Sequence, residues 1–380
     1  MSNPDTQSPV GVAIIGAGAV SDYHHVPGLA LDGRARLVGI CDADGELATR
    51  RAGEWATLRD DWHDVSVSSD FKEICNHPAV DAVIIATPNF THRPISLAAV
   101  AAGKHVMCEK PLGLSATEVE AMYVAARDAG VVHMTAFTYR FAPAMRYLKH
   151  LVTSGTLGEP RHFRSQRFLD WPETSWGWRQ YKDKAGAGDL FDMTIHRIDF
   201  ALDLLGPLRR VCGAVARFAE RSTTPDGAAC PPSEVDDWSC LIGEFESGAV
   251  GVWEGTTLAK GYGRDGFGHE WAEINGAEAS AVYRLHEPNT ILLGRTGQDL
   301  EATPVPEEFL KPADSPRDPN HGEPATVFRY DLAWEFISAI VAKRPAVPSY
   351  YEGLNAQRVA DAVLTSYQQR TWVDTPLAEK

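Results

Sequence analysis

The sequence predicts an α/β domain with a doubly wound parallel sheet, followed by an α+β domain built on a large, mostly antiparallel sheet. Three observations carry this. Up to about residue 138, short apolar runs alternate with helical patterns, the rhythm of parallel strands joined by crossover helices. Beyond that, apolar runs crowd together between turns such as Glu246-Ser247-Gly248 and Asn275-Gly276, too closely for crossovers, so their strands pair antiparallel. Finally, 380 residues are long for one core. The expected division is a disordered polar tail at 1–9, a first domain at 10–138 and a second at 139–380.

The first strand is Val10 to Ile15, and Gly16-Ala17-Gly18-Ala19-Val20-Ser21 turns it into a helix reaching about Leu31. Gly16 permits the tight turn, and Gly18 lets a pyrophosphate approach the backbone at the helix start. The next strand, Arg36 to Cys41, ends in Asp42, 24 residues after Gly18 and near the place of a ribose-binding carboxylate. Such an acid accepts bonds from the adenosine 2′-hydroxyl and repels a 2′-phosphate, so NAD is expected over NADP. Val80 to Ala86 forms a strand ending in Thr87-Pro88-Asn89-Phe90-Thr91-His92, and a helical pattern runs from Pro94 to Ala102. His92 either caps that helix or lines the nicotinamide pocket; its place past a strand end on the ligand side favours the pocket. His105 to Cys108 stops at Glu109-Lys110-Pro111, because Pro111 cannot donate to a ladder. Lys110 therefore leaves the strand at the edge where open α/β sheets bind ligands. A helix from Ser115, with Glu118 three residues on, and a strand from Val131 to Phe137 complete the domain.

In the second domain, Phe141 to Thr153 reads as helix and Arg161 to Leu169 as strand. A loop carries Trp171, Trp176, Trp178 and Arg179, and Gly186-Ala187-Gly188-Asp189 then opens a helix to about Leu205. Strands are expected at Arg210–Phe218, Trp238–Phe245, Ala249–Thr257, Glu270–Asn275, Ala279–Leu285 and Thr290–Leu293. The loop 311–325 is long enough either to fold over a site or to remain solvated. Helices from Val327 to Ala342 and from Glu352 to Gln369 close the chain, the last packing back on the first domain.

Composition narrows the function. A net charge of −15, spread along the chain, argues against nucleic acid or an anionic membrane as partner. No apolar run is long enough to span a bilayer, and the polar N-terminus lacks the apolar core of a secretory signal, so the cytoplasm is expected. The six cysteines show no C-x-x-C spacing and read as reduced thiols. In the helix after Gly188, Asp192 and His196 are four apart and share a face, with Asp199 seven from Asp192. A histidine with an acid one turn away is a usable general base; on an isolated amphipathic helix the same pair is a surface ion pair. No clustered His or Cys completes a metal set, so no metal is expected.

Taken together, Gly16-x-Gly18 with Asp42, Thr87-Pro88-x-x-x-His92, Glu109-Lys110-Pro111, Arg140-Phe141-x-Pro143 and Gly186-x-Gly188-x-Leu190-x-Asp192-x-x-x-His196-x-x-Asp199 occur in order. The chain resembles the glucose–fructose oxidoreductase, inositol dehydrogenase and rhizopine-catabolism family (Gfo/Idh/MocA). The resemblance implies a Rossmann domain, a second domain whose open sheet mediates homo-oligomerisation, and a site between them. It implies an NAD-dependent oxidoreductase moving hydride between a secondary alcohol of a sugar, glycoside or inositol and the nicotinamide. The alternatives are an NAD-dependent glycoside hydrolase using transient oxidation and a non-catalytic cofactor-binding regulator. Lys110, Asp192 and His196 then carry the chemistry, with His196 as base, Lys110 stabilising the oxyanion, and Asp192 binding a neighbouring hydroxyl or orienting His196. Cofactor contacts are expected from Gly16, Gly18, Ala19, Val20, Asp42, Thr87, Pro88, Asn89, His92, Glu109 and Lys110. Substrate contacts are expected from Lys110, Tyr139, Arg140, Trp176, Trp178, Arg179, Asp192 and His196. The chain departs from the family pattern at Ser21, at Ala187 and Asp189, and at Thr138-Tyr139.

Overall fold

The computed structural model describes residues 8–263 and 268–379. The expected disordered tail, apart from Ser8 and Pro9, lies outside the described residues. The first sheet contains β1 (Val10–Ile15), β2 (Ala35–Cys41), β3 (Ser66–Ser68), β4 (Ala82–Ile85), β5 (His105–Cys108) and β6 (His133–Thr135). Their order is β3-β2-β1-β4-β5-β6, with every pair parallel. Helices cover both faces, which is why β1 and β4 are apolar and buried at successive residues. The strand order reverses between β1 and β4, so their carboxyl ends diverge and open a crevice.

The second sheet has nine strands: β7 (Pro160–Phe168), β8 (Leu208–Ala216), β9 (Trp238–Phe245), β10 (Val250–Thr256), β11 (His269–Gly276), β12 (Ala279–Arg284), β13 (Thr290–Arg295), β14 (Glu301–Pro304) and β15 (Val373–Asp374). They run β14-β13-β12-β11-β7-β10-β9-β8-β15, antiparallel except for the parallel pair β7 and β10. One face buries Phe163 and Trp253 under Phe200 of the helix Ile195–Leu205, with the Trp253 indole donating to Arg197 O at 3.1 Å. The other face leaves Ile242, Val250 and Val252 more than 40% exposed.

The helix Tyr350–Gln369 joins the two halves. Ser349 and Glu352 form its capping box, which starts it two residues before the expected Glu352. Tyr350 Oη meets Ser96 Oγ at 2.9 Å, Asp361 accepts from Ala116 N at 2.7 Å, and Ser366 Oγ accepts from Gly213 N of β8 at 3.1 Å. No helix of the described residues is long and apolar enough to cross a membrane.

Several expectations needed correction. β3, β14 and β15 are edge strands of four residues or fewer with polar content, too short to show alternation. The helix expected over Val327–Ala342 is broken into Pro324–Val327, a tight turn at Phe328–Tyr330, and Asp331–Ala342. The loop 311–325 is tied down at Ser315 and Arg317, while residues 321–323 stay exposed to solvent. Asp331 accepts from Ser315 Oγ at 2.6 Å and Arg317 Nε at 2.9 Å, pinning it against the buried start of the last-named helix.

Candidate active site

A cleft of about 760 Å³ opens where the carboxyl ends of β4, β5 and β6 face β7 and the helix after Gly188. A larger hollow of about 1120 Å³ lies at the amino ends of β1, β5 and β6, where none of the motifs meets, so the smaller space is the site.

On the sheet side, Gly16 has φ +102°, and a Cβ there would stand 2.5 Å from Ala86 O, so only glycine lets β1 turn this close to β4. Gly18 faces open space, with nothing within 4 Å of an added Cβ. The helix beyond begins with a π turn, Ser21–His25, and the Ser21 hydroxyl donates to Gly16 O at 2.5 Å. That bond explains a serine where a smaller residue was expected. Asp42 accepts from Ala17 N at 2.7 Å and Asp44 N at 2.9 Å, so the carboxylate stands beside the glycine turn. An open glycine backbone with a carboxylate at the end of the next strand fits a dinucleotide. Asp42→Ala is expected to shift the NADP-to-NAD ratio of kcat/KM towards NADP by about 10-fold. An unchanged ratio in paired kinetics would place cofactor choice elsewhere.

On the opposite side, Gly186 takes φ +82°, and a Cβ on Gly188 would lie 1.8 Å from Asp236 O. That contact lets the Asp236 carboxylate accept from Gly188 N at 2.8 Å and Leu190 N at 3.0 Å, capping the helix start from another segment. The helix opens with a π turn, Leu190–Thr194, which holds Asp192, and continues as Ile195–Leu205, which holds His196.

Lys110 Nζ bridges the two sides, donating to Asp192 Oδ1 at 2.7 Å and Asp192 O at 2.6 Å. Burial alone would raise the Asp192 carboxyl, but Lys110, Arg179 and Arg197 outweigh it and hold it below its ordinary range. His196 lines the same cleft. Burial, then the charges of Lys110, Arg197, Arg329 and Arg167, push its imidazole well below its ordinary range, leaving it neutral at neutral pH. Among the described residues its buried Nδ1 has no partner, and no hydrogen bond joins the ring to Asp192. The ring is held by edge contacts with Tyr139 at 4.8 Å and Phe137 at 5.8 Å between centroids.

Of the other expected residues, Thr87, Asn89, Glu109, Tyr139, Trp176, Trp178 and Arg179 line the cleft, with Val20 from the glycine turn. Trp171 does too, packed edge-on to Trp176 at 5.0 Å. Glu109 accepts from His25 Nε2 at 2.8 Å. Two expectations fail. Arg140 does not reach the cleft; its guanidinium forks onto Asp199 at 2.6 and 2.8 Å and also donates to Asp203 at 2.8 Å. Asp199 therefore leaves the face shared by Asp192 and His196, because Asp192 sits in a π turn and Asp199 in regular helix. His92 does not line the pocket either. It is fully buried, with Nδ1 2.8 Å from Pro111 O and Nε2 2.8 Å from Thr87 O. Burial lowers its proton affinity, while the hydrogen bonds to the two carbonyls act the other way. It braces the loops after β4 and β5.

Sequence reasoning missed Tyr23, His24, Arg167 and Arg329, all lining the cleft. Arg167 carried a signal: it shares the buried parity of β7 with Phe163 and Ser165, and an arginine there demands a partner. Arg329, just past the 311–325 loop, carried none. Among the described residues no cluster of His, Cys, Asp or Glu is arranged to hold a metal ion.

Tyr139 sits among these cations. Burial would raise its phenol, yet Arg329, Arg167 and Arg197 outweigh burial and bring it down to about 7. Its folded value lies below the unfolded one, so its contribution to stability grows as pH rises from about 7 to 10 and is gone below 7. Tyrosinate absorbance should show one phenol titrating near pH 7 that Tyr139→Phe removes.

A parallel sheet with a glycine turn at its switch point, facing a second sheet across a cleft holding lysine, acid and histidine, is the build of a two-domain dinucleotide-dependent oxidoreductase. The chain belongs to the GFO/IDH/MocA family: residues 10–137 match the model described as "Oxidoreductase family, NAD-binding Rossmann fold" and residues 145–282 match the GFO/IDH/MocA C-terminal domain. It is 31% identical over 357 residues to levoglucosan dehydrogenase of Pseudarthrobacter phenanthrenivorans, covering 89% of each chain. It is 33% identical over 206 residues to D-glucoside 3-dehydrogenase of Escherichia coli, covering 54% of this chain and 57% of that one. Among solved structures, a levoglucosan dehydrogenase complex with NADH and levoglucosan superposes with a TM-score of 0.86 at 28% identity, over 97% of this chain and 100% of that one. Residues 10–137 are thus an NAD-binding Rossmann fold.

Proposed function

We propose that the protein is a cytoplasmic, homo-oligomeric dehydrogenase that oxidises a secondary alcohol of a sugar, glycoside or cyclitol. The observation that carries the reading is the Lys110–Asp192 bridge beside neutral His196 in one cleft next to the glycine turn. NAD, when bound, supplies the hydride acceptor at C4 of its nicotinamide. His196, neutral and facing the cleft, takes the hydroxyl proton. Lys110 donates to the same oxygen as negative charge develops on it. Asp192, kept ionised by Lys110, accepts from a neighbouring hydroxyl and fixes which carbon is presented. Trp171, Trp176 and Trp178 supply flat apolar faces for sugar C–H groups and exclude water.

The exposed Ile242, Val250 and Val252 on the uncovered sheet face support self-association, which sedimentation measures directly. The similarity to levoglucosan and glucoside dehydrogenases supports a carbohydrate substrate. The deciding experiment is NADH formation across a panel of inositols, monosaccharides and glycosides. Net NADH with an oxidised sugar is the expected result, and glycoside cleavage without net NADH would replace the dehydrogenase with a hydrolase.

A further inference from the structure

We propose that the substrate this cleft selects carries an anionic substituent, a carboxylate or a phosphate, held by Arg329 and Arg179; the inference rests on the dehydrogenase reading above. In a chain of net charge −15, the cleft wall is cationic: among the described residues, Lys110, Arg167, Arg179 and Arg329 line it against Glu109 and Asp192. Both acids are already engaged, Asp192 by Lys110 at 2.7 Å and Glu109 by His25 at 2.8 Å. Deeper in, Arg167 and the buried Arg197 share the single carboxylate of Glu270.

Arg329 and Arg179 meet no carboxylate among the described residues. Arg329 Nη2 reaches only Tyr139 Oη, at 3.4 Å, and its Nε is buried with no partner. Arg179 lies over the Trp178 ring at 4.5 Å and lines the same cleft. A buried donor without an acceptor is costly and uncommon, so an unfilled guanidinium on a cleft wall points to a ligand that completes it. A neutral polyol offers only hydroxyls to such a group. A carboxylate or phosphate matches its planar fork and cancels its charge.

One side chain registers the cationic surroundings directly: burial should raise Tyr139, yet Arg329, Arg167 and Arg197 pull it down to about 7. At His196 burial is the larger cause of the lowering, with Lys110, Arg197, Arg329 and Arg167 adding to it. An anion between Arg329 and Arg179 removes part of the charge that suppresses proton uptake at His196. The charged substrate then gains in kcat as well as in KM. The cofactor pyrophosphate is the competing claimant for Arg329, because Tyr23 and His24, on the helix after the glycine turn, also feel that arginine.

The test is NADH formation from matched pairs: methyl glucoside against methyl glucuronoside, glucose against glucose 6-phosphate, and myo-inositol against its monophosphate. NAD affinity is measured separately by fluorescence. In at least one pair the acidic member should show a kcat/KM about 10-fold or more above its neutral partner, the uronate and phosphate arms separating the two anions. Arg329→Gln should bring that ratio to within about 2-fold of one, and Arg329→Lys should keep part of it. Arg179→Gln, at an exposed position, should lower it too and serves if the Arg329 variant does not fold. NADH formed with the neutral member equal or better in every pair overturns the anionic substrate and leaves the dehydrogenase standing. No NADH from any pair while NAD binds overturns the dehydrogenase, and this inference with it. Weakened NAD binding in Arg329→Gln with an unchanged substrate ratio assigns the arginine to the cofactor and overturns the inference.

Discussion

Replacing Lys110 with alanine is expected to lower kcat by about 100- to 1,000-fold while NAD still binds. The Lys110 ammonium sits 2.7 Å from Asp192 Oδ1, on the cleft wall it shares with His196. In the proposed reaction the alcohol oxygen gains negative charge as its proton passes to His196, and Lys110 supplies the matching positive charge. The substitution also frees Asp192, whose ionisation Lys110 sustains against burial. Lys110→Arg should not restore the rate, because a planar fork cannot occupy the place of a point charge held by one carboxylate and one carbonyl. Steady-state NADH formation with a separate NAD titration checks both parts. Wild-type turnover in Lys110→Ala would remove this residue from the chemistry.

Replacing Arg140 with methionine is expected to destabilise the fold by about 3–5 kcal/mol, the loss seen when one partner of a buried ion pair is removed. Its guanidinium is forked onto Asp199, whose side chain is 2% exposed, and also reaches Asp203. Without Arg140, Asp199 must be buried unpaired or take up a proton. Combining Arg140→Met with Asp199→Leu should recover most of the loss, since replacing both charges with apolar groups of similar size is often close to neutral. Urea unfolding of the two variants measures this. A large rise in substrate KM without lost stability would return Arg140 to the substrate site.

The two predictions treat neighbouring motif residues in opposite ways, although Lys110 and Arg140 looked alike in the sequence. Each is a cation just past the end of a parallel strand in a motif matched to one family. What separates them is the position of their acids. Lys110 meets Asp192 on the wall of the cleft, whereas Arg140 meets Asp199 and Asp203 away from it. The acids come from one helical segment, and the π turn at Leu190–Thr194 sends Asp192 one way and Asp199 another. A seven-residue spacing read on a regular helix does not contain that turn. His92 failed for a related reason: its position past β4 was right, but its ring turned inward between two carbonyls.

What the sequence determined by itself was everything encoded locally. The alternation of strands and helices, the glycine turn, Asp42 at the end of β2, Lys110 at the end of β5 and the placing of Asp192 and His196 in one segment all follow from contiguous residues and backbone periodicity. Only the tertiary structure decided which charges are cancelled. Arg167 is partly neutralised by Glu270, 103 residues away, and Arg140 by Asp199, 59 residues away. Arg329 arrives in the cleft beside Tyr139, 190 residues earlier in the chain, with no carboxylate to meet it among the described residues. Local propensity carries no information about such distances, because electrostatic balance depends on separation in space after both sheets have packed. The family and its NAD-binding fold were therefore legible in the residues, while the cationic wall of the cleft became visible only in the fold.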